Sequence, residues 1–114
     1  MCELGVYMKR SNSNPKVASE VVYAGADRGT LVIRDVAGST KRFQGAIIRE
    51  LDINRKRLEL RESPVLEPVL QFISAYDDCL SSDKYDARLQ GLWEDAKRRG
   101  DEMIRNLSAK LKKA

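Results

Sequence analysis

The spacing of apolar residues changes at about residue 62, and this change constrains the fold more than any other feature. Before it, short runs such as RLELRE (57–62) alternate with the two-residue period of a β-strand. After it, apolar residues recur every three or four positions, as on one face of an α-helix. The sequence therefore predicts an α+β protein. Residues 1–62 form an N-terminal antiparallel β-sheet, either a meander or a small open barrel. Residues 63–114 form a C-terminal helical hairpin with a long second helix, packed as one domain or as a partly projecting arm.

Five stretches of the first half are predicted strands: ELGVYM (3–8), SEVVYAG (19–25), GTLVIRD (29–35), KRFQGAIIREL (41–51) and RLELRE (57–62). Residues 41–51 also fit a helix, because Phe43, Ile47 and Leu51 recur every four positions. Gly45 and the β-branched residues after it favour a strand with a bulge. In the turn 52–56, Asn54 is the residue expected to adopt the left-handed conformation.

Two helices are predicted in the second half. Ser63 followed by Pro64 is a typical helix start, with a hydroxyl cap and a proline where no N–H is needed. The first helix has an apolar stripe of Val65, Val69, Phe72, Ile73, Tyr76 and Leu80. Ser82 or Asp83 is the predicted cap of the second helix, which we expect to span residues 83–112.

Gly100 lies inside the second helical pattern, between Arg99 and Asp101. The apolar spacing continues in phase on both sides of this glycine, which favours one long helix, bent or straight at Gly100. The alternative is that the helix stops at Gly100 and Asp101 caps a short new helix. In either case the Arg-Gly-Asp triplet is interpreted as a coincidence of composition.

The sequence predicts no catalytic residue, metal site, cofactor or small-molecule substrate. The chain contains no histidine, which removes the commonest general base and the commonest metal ligand. No phosphate-binding or nucleophile motif is present. Asp77, Asp78, Asp83 and Asp86 surround the turn between the helices, and we interpret them as solvated, structural acids. We therefore expect a protein that is not an enzyme.

The expected location is the cytoplasm. No apolar run approaches the roughly 20 residues that a membrane span requires, and no signal segment is recognisable. Cys2 and Cys79 are far apart in sequence and are interpreted as free thiols in a reducing compartment. We expect no membrane partner.

The apolar stripe of the second helix is the strongest functional signal. A helix of this length extends past a small sheet, so its far end exposes apolar residues unless a partner covers them. The stripe packs either in the core of the monomer or in a coiled-coil-like seam with a second copy or a partner helix. From the seam, the sequence predicts an interaction or regulatory protein that forms homo-oligomers, or that docks this amphipathic helix on a protein partner. The predicted interface residues are Leu89, Trp93, Ala96, Met103, Ile104, Leu107 and Leu111.

Nucleic-acid binding is the alternative function, because the chain is basic overall, with a net charge of +4. Residues 1–62 carry twelve Lys and Arg against eight Asp and Glu, residues 63–98 four against seven, and residues 99–114 five against two. The charge is therefore basic, then acidic, then basic along the chain. The residues expected to contact nucleic acid, at a sheet edge and at the tail, are Lys41, Arg42, Arg55, Lys56, Arg57, Lys110, Lys112 and Lys113.

Overall fold

The fold is α+β, as predicted, with a curled sheet followed by two helices. The computed structural model describes residues 3–10 and 12–112, so Cys2 and Lys113 lie outside the described residues. Its elements are β1 (Leu4–Lys9), β2 (Lys16–Asp27), β3 (Thr30–Asp35), β4 (Thr40–Gln44), β5 (Ala46–Asp52), β6 (Arg57–Glu62), α1 (Leu66–Ser82) and α2 (Arg88–Lys112).

The strands form one six-stranded sheet in the order β4-β3-β2-β1-β6-β5. Neighbouring strands are antiparallel except β1 and β6, which run parallel with Val6 opposite Leu58 and Met8 opposite Leu60. These four side chains are at most 1% exposed. They form the centre of a core that also contains Val21, Leu31, Ile33 and Ala46, with Phe43 packed against it. The apolar residues that alternate along the strands therefore share one face of the sheet, and the curled sheet encloses them as its core.

Two turns depend on the left-handed backbone conformation. Arg28 and Gly29 join β2 to β3 with φ values of 52° and 80°, as a two-residue hairpin loop requires. In the β5–β6 turn, Lys56 and not Asn54 has a positive φ, of 52°, so the prediction for Asn54 was wrong. The Asp52 carboxylate accepts the N–H of Arg55 at 3.1 Å, and the Lys56 N–H donates to the carbonyl of Ile53 at 3.1 Å. In the turn formed by these two hydrogen bonds, the residue with the left-handed conformation is Lys56, the last residue of the turn.

Gly45 bends the chain between β4 and β5. Residues 41–51 are extended on both sides of it, which excludes the helix. They form two strands at opposite ends of the sheet order, so the prediction of a single strand with a bulge was wrong. Gly45 has a φ of 68°, and a Cβ atom there would lie 3.1 Å from the carbonyl oxygen of Ser63. The Ser63 N–H also donates to the Gly45 carbonyl at 3.0 Å. The bend therefore places the segment before α1 directly against the sheet.

Helix α1 begins later than the sequence predicted, and Ser63 does not cap it. Its N-terminal flanking residue is Val65, which makes no side-chain cap. The Ser63 carbonyl accepts the N–H of Leu66 at 3.1 Å in a turn that precedes the helix. Pro68 lies in the first helical turn, where a missing N–H costs nothing. The backbone turn thus replaces the predicted hydroxyl cap.

Helix α2 begins at Arg88 and not at the predicted position 83. Asp83 has a φ of 57° and ends α1 in the left-handed conformation, so it cannot start the next helix. The Asp86 carboxylate instead accepts the N–H of Arg88 at 2.9 Å, which is the contact of a capping residue. From Arg88 the helix continues through Gly100 to Lys112, which confirms one long helix and excludes a stop at Gly100.

Neither helix in the described part of the chain is long and apolar enough to cross a membrane. Helix α2 carries charges along most of its length, and several of them pair with each other. Arg98, for example, is bonded to both Asp95 and Glu102 on neighbouring turns. Such pairs support a helix that has one apolar side and one charged side.

Helix α1 approaches the sheet most closely at Gly29. A Cβ atom at this position would lie 2.9 Å from the Leu70 carbonyl oxygen and 3.0 Å from the Gln71 amide nitrogen. Real Cβ atoms do not approach a backbone oxygen this closely, so any side chain at residue 29 would push α1 outward. Gly29 and Gly45 are therefore two points at which the helical segment lies directly against the sheet.

Gly29→Ala should destabilise the protein more than Gly38→Ala. Both glycines have a positive φ, so alanine costs about 1–2 kcal/mol of backbone strain at either one. Only residue 29 adds a clash with α1, since a Cβ at residue 38 meets nothing within 4 Å. The free energy of unfolding from urea titrations checks this. Equal losses for the two variants would contradict the close docking of α1.

Candidate interaction surface

The two helices form an antiparallel hairpin with a short apolar contact between them. Ala75 and Ala96 are the buried hydrophobic residues of α1 and α2, apart from Pro68. Near the start of α1, the Arg99 guanidinium donates to the Pro64 carbonyl at 3.1 Å and lies 3.4 Å from the Glu67 carboxylate. The buried Ala75 and Ala96 and the polar contacts of Arg99 thus hold α2 beside α1.

The contact region between the hairpin and the sheet is partly polar and partly apolar. The cleft between the β2–β3 turn and the helices is lined by Arg28, Gln71, Ser74, Asp78 and Arg88, together with Ala75, Gly91 and Leu92. A second cleft is apolar and is lined by Leu70 of α1 together with Leu31, Ala46, Ile47 and Ile48 of the sheet. Several of the largest apolar side chains of the hairpin are exposed and lie outside these two clefts.

The opposite side of the hairpin exposes a continuous set of large apolar side chains. The ring of Phe72 lies 5.5 Å from that of Trp93 and 6.3 Å from that of Tyr76, so the two helices share an aromatic cluster. An apolar groove runs along it between Phe72, Tyr85, Leu89 and Trp93. We call this surface the outer face, and its exposed members are Ile73, Tyr76 and Leu80 of α1 and Trp93, Ile104, Leu107 and Leu111 of α2.

The outer face continues onto a part of α2 that extends beyond α1. The hydroxyl of Ser63 contacts the sulfur of Met103 at 3.8 Å, so α2 passes the start of α1 at this level. Residues 104–112 then continue for about 14 Å at 1.5 Å per residue. On this end, Ile104, Leu107 and Leu111 are 57–68% exposed. Three neighbouring apolar side chains in water are a surface that a partner can cover.

The structure brings most of the predicted interface residues onto one side of α2. Trp93, Ile104, Leu107 and Leu111 are exposed there, Met103 lies at its margin and Leu89 is half-buried in the groove. Ala96 is the exception, because it is only 5% exposed and packs inside the hairpin. Sequence analysis assigned Ile73, Tyr76 and Leu80 to the stripe of the first helix but did not recognise them as part of an exposed surface.

The predicted nucleic-acid contacts lie on separate elements. Lys41 and Arg42 are in β4, where Lys41 donates to the Val17 carbonyl and Arg42 pairs with Asp27 at 3.1 Å. The basic group 55–57 is at the β5–β6 turn, and Lys110 and Lys112 are at the end of α2. Lys113 lies outside the described residues.

The aromatic residue nearest to the basic turn is already covered. The guanidinium of Arg57 lies 3.8 Å from the centroid of the Tyr7 ring, where it occupies the face that a base would need for stacking. On the neighbouring strand, Arg49 bonds the buried Glu59 carboxylate at 2.8 Å. Several of the basic side chains are thus engaged within the chain, and nucleic-acid binding stays a prediction.

The acidic turn between the helices is held by ionic contacts. The pKa of Asp86 lies below its ordinary value of 3.8, because Arg88 donates side-chain hydrogen bonds at 2.7 and 2.9 Å and also its backbone N–H. The same contact raises the pKa of Arg88. Among the described residues, no group of three acidic or thiol side chains is arranged to hold a metal ion.

The residues of the sheet match a known protein family. A family model described as CO dehydrogenase accessory protein CooT matches residues 1–61, which is more than half of the 114-residue chain. The chain belongs to the CooT family. The family match ends at the end of the sheet, so α1 and α2 lie outside it.

A solved structure supports the same fold. The crystal structure of a putative CooT from Carboxydothermus hydrogenoformans is similar to this chain with a TM-score of 0.50 and 18% sequence identity. The similarity covers 98% of that chain but only 54% of this one. No curated protein matches the sequence. Nearly half of this chain therefore has no counterpart in that CooT structure.

Asp86→Asn should lower the thermal midpoint at neutral pH but not in acid. Asparagine still caps α2, whereas the ion pair with Arg88 is lost. Since the pKa of Asp86 is lowered in the folded protein, its contribution is complete above about 3.8 and disappears as the pH falls through the lowered value. Calorimetry from neutral pH into acid measures this difference. A difference that does not change with pH, or that persists in an Arg88→Gln background, would contradict the assignment.

Proposed function

We propose that this protein is a non-enzymatic accessory protein that acts by binding other proteins. The observation that carries this proposal is the uncovered outer face of the hairpin, with Trp93, Leu107 and Leu111 as its largest apolar groups on α2. Aromatic and aliphatic anchors of this kind dominate the energetics of protein–protein interfaces. The family description supports an accessory role.

The composition of the chain also favours binding over catalysis. The sequence has no histidine to act as a general base near neutral pH. The buried Glu59 carboxylate accepts a hydrogen bond from the Arg49 guanidinium at 2.8 Å. A charged pair of this type stabilises a sheet surface and does not by itself perform a reaction.

We further propose a division of labour between the two halves. The sheet, which carries the family match, would contact a CO dehydrogenase or a protein involved in its production. The hairpin, which lies outside the match, would supply a second protein interface through its outer face, either for another copy of this chain or for a partner. The chain would then connect two binding events without transforming a substrate.

Deletion of the gene in its host should lower the activity of CO dehydrogenase, and the wild-type gene should restore it. The expected effect is on the amount of active enzyme, because an accessory protein does not take part in turnover. A direct test of the same role uses biolayer interferometry. The purified full-length protein should bind the CO dehydrogenase of the same host. Unchanged enzyme activity in the deletion strain together with no binding would contradict the proposed role.

A further inference from the structure

The outer face has the geometry of half a helical bundle. Two antiparallel helices that expose apolar residues on one common side can bury them by packing against a second hairpin. Here α1 contributes Ile73, Tyr76 and Leu80, and α2 contributes Trp93 and the residues of its projecting end. A single peptide helix laid in the groove at Phe72 and Trp93 would leave the projecting end of α2 uncovered. A second hairpin is long enough to cover both.

The apolar pattern of α2 is symmetric about Gly100. Trp93 lies seven residues before this glycine and Leu107 seven after it, while Leu89 and Leu111 lie eleven before and eleven after. At 100° per residue, all of these positions and Gly100 share one side of the helix. Two antiparallel copies of α2 that cross at Gly100 therefore place Trp93 of one copy against Leu107 of the other, and Leu89 against Leu111.

Gly100 has no evident role within a single copy. A Cβ atom at this position would meet nothing within 4 Å, so no neighbour in the chain requires a glycine. A glycine inside a helix costs about 1 kcal/mol relative to alanine. At the crossing point of two helices, a glycine allows the backbones to approach closely. The symmetric pattern and the glycine at its centre are consistent with each other.

The charges at the two ends of the hairpin are complementary in the same arrangement. The turn region 77–86 carries four Asp and one Lys, whereas the projecting end 104–112 carries three basic residues and no acid. In the antiparallel crossing, Lys112 of one copy reaches the level of Arg88 of the other, next to the turn with Asp86. The basic residues Lys110 and Lys112 of each copy thus approach the turn of its partner, which carries Asp77, Asp83 and Asp86. A parallel arrangement would bring the like charges together.

We infer that the outer face binds a second copy of this chain, in a symmetric antiparallel pairing of the two hairpins with the α2 helices crossing at Gly100. The projecting end 104–112 of each copy is then covered by the outer side of α1 of the other, near Tyr76 and Leu80. This inference rests on the proposed role of the outer face as a protein interface, and it specifies the occupant.

The first test is the mass of the full-length protein by sedimentation equilibrium, with a matched pair of variants. Leu107→Asp should raise the dimer dissociation constant by about a hundredfold or more, because it places a carboxylate in an apolar seam. Ala109→Asp introduces the same charge on the opposite side of α2, where the residue is also exposed, and should leave the mass unchanged. Circular dichroism verifies that both variants fold. A monomeric wild-type protein, or a dimer that tolerates Leu107→Asp, would overturn the inference.

The second test locates the crossing point. In a background with Cys2→Ser and Cys79→Ser, Gly100→Cys should form a disulfide-linked dimer under mild oxidation, since residue 100 lies on the symmetry axis. Ala109→Cys should remain unlinked in the same experiment. A dimer that links at residue 109 and not at residue 100 would contradict this geometry.

The outcomes separate this inference from the proposed function. A monomer that still supports CO dehydrogenase activity in the host would remove the self-pairing and leave the accessory role. A dimer that forms the predicted cross-link, in a protein whose deletion leaves CO dehydrogenase activity unchanged, would support the self-pairing and contradict the accessory role.

Discussion

The close approach of α1 to Gly29 and Gly45 determines how the two halves of the protein are joined. At both positions a Cβ atom would lie about 3 Å from backbone atoms of the helical segment. At these two glycines the sheet lies directly against the backbone of Ser63, Glu67 and Leu70. The sheet closes over its own core around Val6 and Met8, while Trp93, Ile104, Leu107 and Leu111 of α2 are exposed.

This arrangement explains why a binding function is the natural conclusion. A chain that used its helices to cover its sheet would direct Trp93 and Leu107 inward. In this protein they are half exposed or more, and they continue onto a segment of α2 that extends past α1. The family match stops where the sheet stops. The chain thus combines a sheet of the CooT family with a hairpin that exposes an apolar surface.

The features that depend on local patterns were predictable from the sequence. The change of apolar spacing predicted the α+β fold, and the constant phase across Gly100 predicted one long helix. The β-branched residues after Gly45 predicted extended structure for residues 41–51, but not its division into two strands. The errors at Ser63, Asn54 and Asp83 have one common cause. At each position, a competing turn used backbone hydrogen bonds or a carboxylate one to three residues away, and sequence preferences alone do not decide between such alternatives.

The candidate surface was predicted in part, for a reason that is also physical. Helical spacing identified the apolar side of α2, but it could not separate the residues that face α1, such as Ala96, from those that face solvent. It also could not show that Ile73, Tyr76 and Leu80 are exposed, because that depends on the few contacts between α1 and the sheet. The docking at Gly29 is a tertiary contact that leaves no signal in the local sequence.

Hydrogen exchange of residues 104–112 tests the central claim most directly, since amides in an uncovered helix end open readily and a packed partner protects them. We predict that protection of this segment increases with protein concentration, while protection of the central strand β1 stays constant. Exchange of residues 104–112 that is fast at every concentration, and unchanged when CO dehydrogenase is added, would contradict the claim that the outer face is a protein interface.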